Sequence, residues 1–245
     1  MKKRIITPGN LLFALVGFLF LTCFSVTLVL NLRCIYYFDI GYLDLESETG
    51  YSEAVIRANY DALIDYNLLF KGVGELEFPD FPMSENAAIH FEEVKRIFVA
   101  LQILFLVTGA ALAAFCAAVI IRRGIFLKGR GPDEERQSGQ SRLAVNIGAL
   151  KLLSVFTFVI PVVLGVLAAL NWDSFFVRFH ELFFNNDYWL FDPAADPVIL
   201  ILPDEFFAHC AAAILLILFL GGILTGVLYA RLHRAAVAKN GNTKV

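Results

Sequence analysis

Four apolar runs decide most of what this chain can fold into. They lie at about Leu11–Leu32, Ile97–Ile121, Leu150–Leu170 and Phe207–Ala230. A helix needs about 20 residues to cross the hydrocarbon core of a bilayer, and each run supplies roughly that length. Hydrocarbon offers no partner to backbone N–H and C=O groups, so a lone segment at that depth satisfies them internally, as a helix. Composition agrees: 58% of the residues are hydrophobic and the mean hydropathy is +0.69, too apolar for an ordinary water-soluble domain. The first run follows Lys2, Lys3 and Arg4, as a secretory signal would. Its apolar stretch is too long for that and no small-x-small cleavage site follows it, so it reads as a retained span.

Charge orients the four spans. The net charge of -3 hides a strong asymmetry. Lys2, Lys3 and Arg4 precede the first span; Arg122, Arg123, Lys128, Arg130, Arg136 and Arg142 lie between the second and third; Arg231, Arg234, Lys239 and Lys244 follow the fourth. The other two connections are acidic and aromatic, with Asp39, Asp44, Glu46, Glu48 and Glu53 in one and Asp173, Glu181, Asp187, Asp192 and Asp204 in the other. Basic segments stay on the cytoplasmic side. The expected fold class is therefore an all-α membrane protein: four transmembrane helices, an extracellular cap from two outer loops, and both termini cytoplasmic. The cap would be built from 33–96 and 171–206, with a cytoplasmic loop at 122–149, in one membrane domain spanning 1–245.

Within the first outer segment, Ile35-Tyr36-Tyr37-Phe38 brings aromatic rings to the interface, where such rings settle. Ser52 with Glu53 reads as a helix start. From there to about Phe70 the pattern is amphipathic, with Tyr51, Val55, Ala58, Ala62, Tyr66 and Leu69 on one face and Glu53, Arg57, Asp61 and Asp65 on another. The aromatic face must rest either on the membrane surface or on the second outer loop. Ser84-Glu85-Asn86 is expected to cap a helix that runs straight into the second span. The loop containing GRGPDEERQSGQSR reads as a solvated, mobile linker. Glycine and alanine clusters in the second and fourth spans suit close helix packing. Cys23, Cys34, Cys116 and Cys210 all lie in or beside spans, so they read as small buried apolar residues rather than a disulfide framework.

The second outer loop is unlike a plain connector. His180 stands among Phe175, Phe176, Phe179, Phe183 and Phe184, followed by Asn185-Asn186-Asp187, Trp189, the Asp192-Pro193 and Asp196-Pro197 turns, and Pro203-Asp204-Glu205. His90 enters the second span on a helical stripe with Val94, Ile97 and Leu101, and Glu93 lies three residues on, within reach of the imidazole. No nucleophile elbow, phosphate-binding loop or HExxH motif is present. Nothing suggests a nucleic-acid surface, and the pattern leaves the oligomeric state open. Histidines among aromatics are commonly structural, but two in corresponding positions also suit general acid–base work. Burial would favour the neutral imidazole, which is a competent base at neutral pH. Ser84 and Ser174, the nearest hydroxyls, read better as helix caps than as nucleophiles. A site with two histidines and no nucleophile suits a substrate that brings its own. A metal alternative would join His90 and Glu93 to His209, Glu205 and His180.

Specific segments also resemble a known family. They are His90-Phe91-Glu92-Glu93-Val94-Lys95, Phe179-His180-Glu181-Leu182-Phe183-Phe184, Trp189-Leu190-Phe191-Asp192-Pro193, Asp196, and Leu202-Pro203-Asp204-Glu205-Phe206-Phe207. Together with the four-span plan they are similar to the bacterial lipoprotein intramolecular transacylase family, which carries Asp where Glu93 stands here. The resemblance implies a multi-pass protein of the bacterial cell membrane with its site facing outside. Its substrate would be a diacylated bacterial lipoprotein, in contact with membrane lipid, whose sn-2 acyl chain moves to the α-amine of the N-terminal cysteine to give a lyso-form. It also implies that His90 and His180 are the catalytic pair. The substrate-pocket residues are expected to be Glu93, Phe179, Phe183, Phe184, Trp189, Asp192 and Asp196, with no metal and no cofactor. A membrane lipid hydrolase of the outer leaflet, with or without a metal, and a non-enzymatic four-span scaffold remain as alternatives. The lack of cysteine pairs in the loops counts against the scaffold.

Overall fold

The computed structural model describes residues 7–127 and 132–241, with side chains omitted at 119, 120, 122–146 and 239–241. Among the described residues every regular element is helical: α1 (Pro8–Asn31), α2 (Arg33–Tyr42), α3 (Leu45–Thr49), α4 (Glu53–Asn67), α5 (Glu85–Leu127), α6 (Pro132–Leu170), α7 (Trp172–Phe183), a 3-10 turn at Pro197–Ile201, and α8 (Asp204–Gly241). Four of them contain segments long and apolar enough to span a membrane, at Pro8–Asn31, Glu85–Ala118, Ile147–Leu170 and Asp204–Ala238. The protein is thus an all-α membrane protein with four transmembrane helices.

The second and third of these helices, α5 and α6, begin well before the apolar runs do. α5 starts at its cap, and its amphipathic lead-in is already helical. The expected linker at 122–149 is helical over its described backbone, because α5 continues to Leu127 and α6 begins at Pro132. Its side chains up to 146, and the basic residues at 2–4 and 244, fall outside the described residues.

The chain divides into two compact units, and each long helix contributes to both. The bundle unit comprises Met1–Thr22, Leu104–Val163 and Leu216–Val245. It packs by rings and by close approach. Phe13 meets Phe115 at 5.3 Å, Phe20 stacks on Phe105 at 5.4 Å, and Phe158 meets Phe219 at 4.9 Å. Gly222 lets α8 approach α6 so closely that an added Cβ would lie 3.1 Å from the Thr157 carbonyl; at Gly226 it would lie 2.8 Å from Ser154 Oγ. Ser154 Oγ donates to the Gly222 carbonyl at 3.0 Å. Small residues in the fourth span therefore serve close packing as expected. In the second span only Gly109 does so, against Phe20; Ala111, Ala113, Ala114, Ala117 and Ala118 are exposed.

The head unit comprises Cys23–Ile103 and Leu164–Leu215. Its core joins both predicted loops: Tyr36, Ile40, Ile56, Tyr60, Leu63, Phe81 and Phe91 from the first, and Val198, Ile201, Leu202 and Phe206 from the second. Tyr36 stacks on Tyr60 at 3.7 Å, packs edge-on against Phe206 at 4.9 Å, and donates its hydroxyl to the Ile201 carbonyl. Burial holds both phenols far above the ordinary tyrosine pKa. α4 begins where expected, with Ser52 Oγ accepting from Val55 N. Its buried stripe is shifted, however, to Ile56, Asn59, Tyr60, Leu63, Ile64, Tyr66 and Asn67. Val55, Ala58 and Ala62 are only partly buried. Large side chains won the interior over small ones. The two asparagines enter it because each donates to the carbonyl four residues back, at 2.8 Å. The acidic face of α4 is not simply solvated: Arg33 pairs with Asp61 and Asp65, and Tyr37 donates to Asp61. The cysteines are all free. Cys23 is buried as expected, but Cys34 and Cys116 are exposed.

Candidate active site

Two elements of the head unit bring the histidines together. α5 is started by Ser84, whose Oγ accepts from Ala87 N at 3.1 Å, and His90 lies on the second turn. α7 is started by Asn171, whose side chain accepts from Ser174 N at 2.8 Å. Ser84 is therefore a cap as expected, whereas Ser174 lies inside the first turn and Asn171 is the cap. Along α7, the four-residue spacing of Phe176, His180 and Phe184 sets one face toward His90, while Phe179, Leu182 and Phe183 remain exposed.

The His90 and His180 ring centroids lie 6.2 Å apart. His90 is only 6% exposed and touches Phe184 at 4.7 Å and Phe191 at 5.5 Å. Its Nδ1 is buried and has no hydrogen-bond partner among the described residues. His180 stacks on Trp189 at 4.7 Å and meets Phe176 at 4.2 Å. Its Nδ1 lies 2.8 Å from the Phe176 carbonyl. A carbonyl only accepts, so Nδ1 carries the hydrogen and the lone pair of the neutral ring is on Nε2. Burial pushes the His180 pKa below its ordinary value; the Phe176 carbonyl and the charge of Asp204 oppose that shift only in part.

The expected pocket residues divide. Phe184 and Trp189 wall the histidines directly. Phe179 and Phe183 pack on one another at 4.7 Å and are 47% and 48% exposed, so they form the outer side of α7. Glu93 accepts from Asn186 Nδ2 at 3.0 Å, which ties the turn after His90 to the segment leading to Trp189. Asp192 is an exposed turn residue whose Oδ1 accepts from Ala194 N. Asp196 is buried but faces elsewhere, accepting from Ser84 N at 2.7 Å and from Ser84 Oγ at 2.9 Å. It clamps the second loop onto the start of α5 and touches neither ring. Phe176, expected beside His180, does line it, and Phe191, not counted among the pocket residues, joins the wall around His90. Phe191 lies inside the Trp189–Pro193 segment that carries the family resemblance, but nothing in its spacing ties it to His90.

The ligand set of the metal alternative does not converge. His209 pairs with Asp39 instead, and among the described residues no three His, Cys, Asp or Glu side chains are arranged to hold an ion.

The fold and site define a class, a helical membrane protein with an aromatic-walled histidine pair and a polar clamp beside it, in which among the described residues no serine, threonine or cysteine is hydrogen-bonded to either ring. The family model for the lipoprotein intramolecular transacylase Lit matches residues 11–207. The chain is similar to the membrane-integral lipoprotein intramolecular transacylase Lit of Bacillus cereus, solved in meso. Identity is 32%, the match covers 93% of this chain and 95% of that one, and the TM-score is 0.77. Two variants of that relative, with a histidine replaced by arginine or by alanine, match at 32% identity and a TM-score of 0.67. No curated protein matches. The chain belongs to the Lit family: it is a lipoprotein intramolecular transacylase, a multi-pass membrane acyltransferase acting on lipoproteins.

Proposed function

We propose that His180 is the general base and His90 the hydrogen-bond donor of an O-to-N acyl transfer within one diacylated lipoprotein. The α-amine of the N-terminal cysteine attacks the sn-2 ester carbonyl and forms the N–C bond. His180 Nε2 takes the proton that the nitrogen loses. The C–O bond to glycerol breaks, His90 hydrogen-bonds the departing oxygen, and the His180 imidazolium returns its proton to that oxygen. The product is an N-acyl, S-monoacylglyceryl lyso-form of unchanged mass, and both rings end as they began.

The observation that carries this reading is the His180 ring, whose Nδ1 is engaged by the Phe176 carbonyl and which faces His90 at 6.2 Å within an aromatic wall. Amine and ester belong to one molecule, and well-oriented intramolecular groups react with effective molarities on the order of 10⁵–10⁸ M. Phe184, Phe191 and Trp189 exclude the water that would otherwise hydrolyse the ester. The positive-inside charge pattern supports a site facing outside, where the signal-cleaved amine of a lipoprotein is found.

The test uses purified protein and three substrates: cleaved diacyl lipoprotein, uncleaved prolipoprotein, and N-acetylated diacyl lipoprotein. Mass spectrometry of the N-terminal peptide is expected to find one acyl chain moved to nitrogen in the first, with no mass change, and no reaction in the other two. Loss of one acyl mass would instead establish a hydrolase and overturn the transfer.

A further inference from the structure

The head unit holds a second histidine site that the acyl transfer does not use. Cys34, Ile35, Phe38, Asp39 and Tyr42 of α2, with His209 of α8, line a groove of about 380 Å³. At its back Asp39 is 1% exposed. Asp39 Oδ1 lies 2.9 Å from His209 Nδ1, and its other oxygen, Oδ2, is buried with no hydrogen-bond partner among the described residues. The His209 side chain is 40% exposed. Phe38 and Tyr42 stack at 5.5 Å yet are each 66% exposed, and Tyr42 also meets His209 at 5.8 Å.

This groove is not an extension of the first site. Phe207 of α8 lies 5.6 Å from Phe176, in the wall around His180. His209 is two residues further on, about 200° around a helix of 3.6 residues per turn. α8 therefore stands between the two sites.

The lining selects a ligand class. An anion would meet a carboxylate, while the nearest cation on α2, Arg33, is already paired with Asp61 and Asp65. A purely apolar ligand would leave the His209 Nε2 acceptor without a donor, at a desolvation cost. With Nδ1–H donated to Asp39, His209 presents Nε2 as an acceptor backed by a buried negative charge. An ammonium group satisfies that acceptor, and the aromatic faces of Tyr42 and Phe38 favour a cation. Ile35 and Cys34 supply apolar surface for the body that carries it. α2 directly follows the α1 span, and His209 lies in the first turns of the α8 span. The ends of spanning helices are where a bilayer's polar interface lies.

We propose that the Asp39–His209 groove binds the primary-ammonium headgroup of a membrane phospholipid. The test is native mass spectrometry of the full chain released from micelles containing equimolar phosphatidylethanolamine and phosphatidylglycerol. Phosphatidylethanolamine should be retained on the order of tenfold over phosphatidylglycerol, the scale of a charge-assisted hydrogen bond. Asp39→Asn should bring the two to parity, and His90→Ala should leave the preference intact. Equal retention by the wild type, or undiminished preference in Asp39→Asn, would overturn the proposal. So would displacement of phosphatidylethanolamine by an equimolar diacylated peptide with a free α-amine, which would assign the groove to the lipoprotein. Should Asp39→Asn fail to fold, headgroup photo-crosslinking on the wild type decides: adducts on 34–42 or His209 support the site, and adducts confined elsewhere sink it.

Discussion

The two units of the protein spend their side chains differently. The bundle unit leaves much of its apolar surface outward, with Leu12, Val107, Val163 and Leu224 among the exposed residues, and its interior depends on a few close approaches such as Gly222 on Thr157. Lipid is as apolar as leucine, so burying more would gain little. The head unit buries large rings around Tyr36 and Tyr60 and ties its elements together with buried side-chain hydrogen bonds, through Asp196, Asn59, Asn67 and Gln102. The difference teaches where substitutions should be felt: truncation matters in the head, and added bulk matters in the bundle.

The largest effect expected is on chemistry, and it is confined to the head. His90→Ala and His180→Ala should each lower conversion of diacyl lipoprotein by about 10²–10⁴-fold, the usual worth of a general acid or base. Peptide mass spectrometry reads the conversion, and an unshifted melting profile would separate lost chemistry from lost folding. Next comes Ile201→Ala. Ile201 is fully buried in the head core, so its truncation should cost about 2–5 kcal/mol in detergent unfolding. Leu12→Ala, 64% exposed in the bundle, should change the same measurement little; equal losses would erase the contrast between the units. Gly222→Val reverses the rule. Its new side chain meets Thr157 backbone at 3.1 Å, and overpacking should cost about 1–3 kcal/mol.

The smallest effect concerns pH. Because burial lowers the His180 pKa from 6.5, the limb this ring adds to the pH–rate profile should fall below 6.5, beneath that of the substrate α-amine, which ordinarily titrates at about 7.7–8.0. The same shift affects stability. The unfolded ring binds its proton first, so the contribution is complete above 6.5 and declines as pH falls from there toward the lower folded value. A profile that does not steepen below 6.5 would mean that the titrating base is not this ring.

Much of this organisation was legible in the residues. Apolar length announced the spans, Ser52 and Ser84 announced two helix starts, and the ring of phenylalanines around His180 announced a site. What escaped was non-local. Asp196 reads as a substrate-pocket residue until Ser84, far away in sequence, takes both of its oxygens. His209 reads as a possible metal ligand until Asp39 engages it across 170 positions. Phe179 and Phe183 were counted inward because a sequence cannot say which of two apolar helix faces meets protein and which remains outside. The buried face of α4 was misjudged for a related reason: Val55 and Ala58 share a helical stripe with Tyr66, but the ring partner of Tyr60 is Tyr36, on another helix.

The bond from His180 Nδ1 to the Phe176 carbonyl joins a ring to the backbone of its own helix, one turn earlier. Nδ1 is a donor in the neutral ring and in the cation alike, so the bond survives both protonation states. In the proposed transfer, proton uptake and release at Nε2 then require no rotation of the imidazole and no change of tautomer. The reorganisation that such a cycle would otherwise demand has been assigned to secondary structure, and it was completed when α7 folded. Anything that frays the first turns of α7 should therefore appear as a catalytic defect before it appears as a structural one.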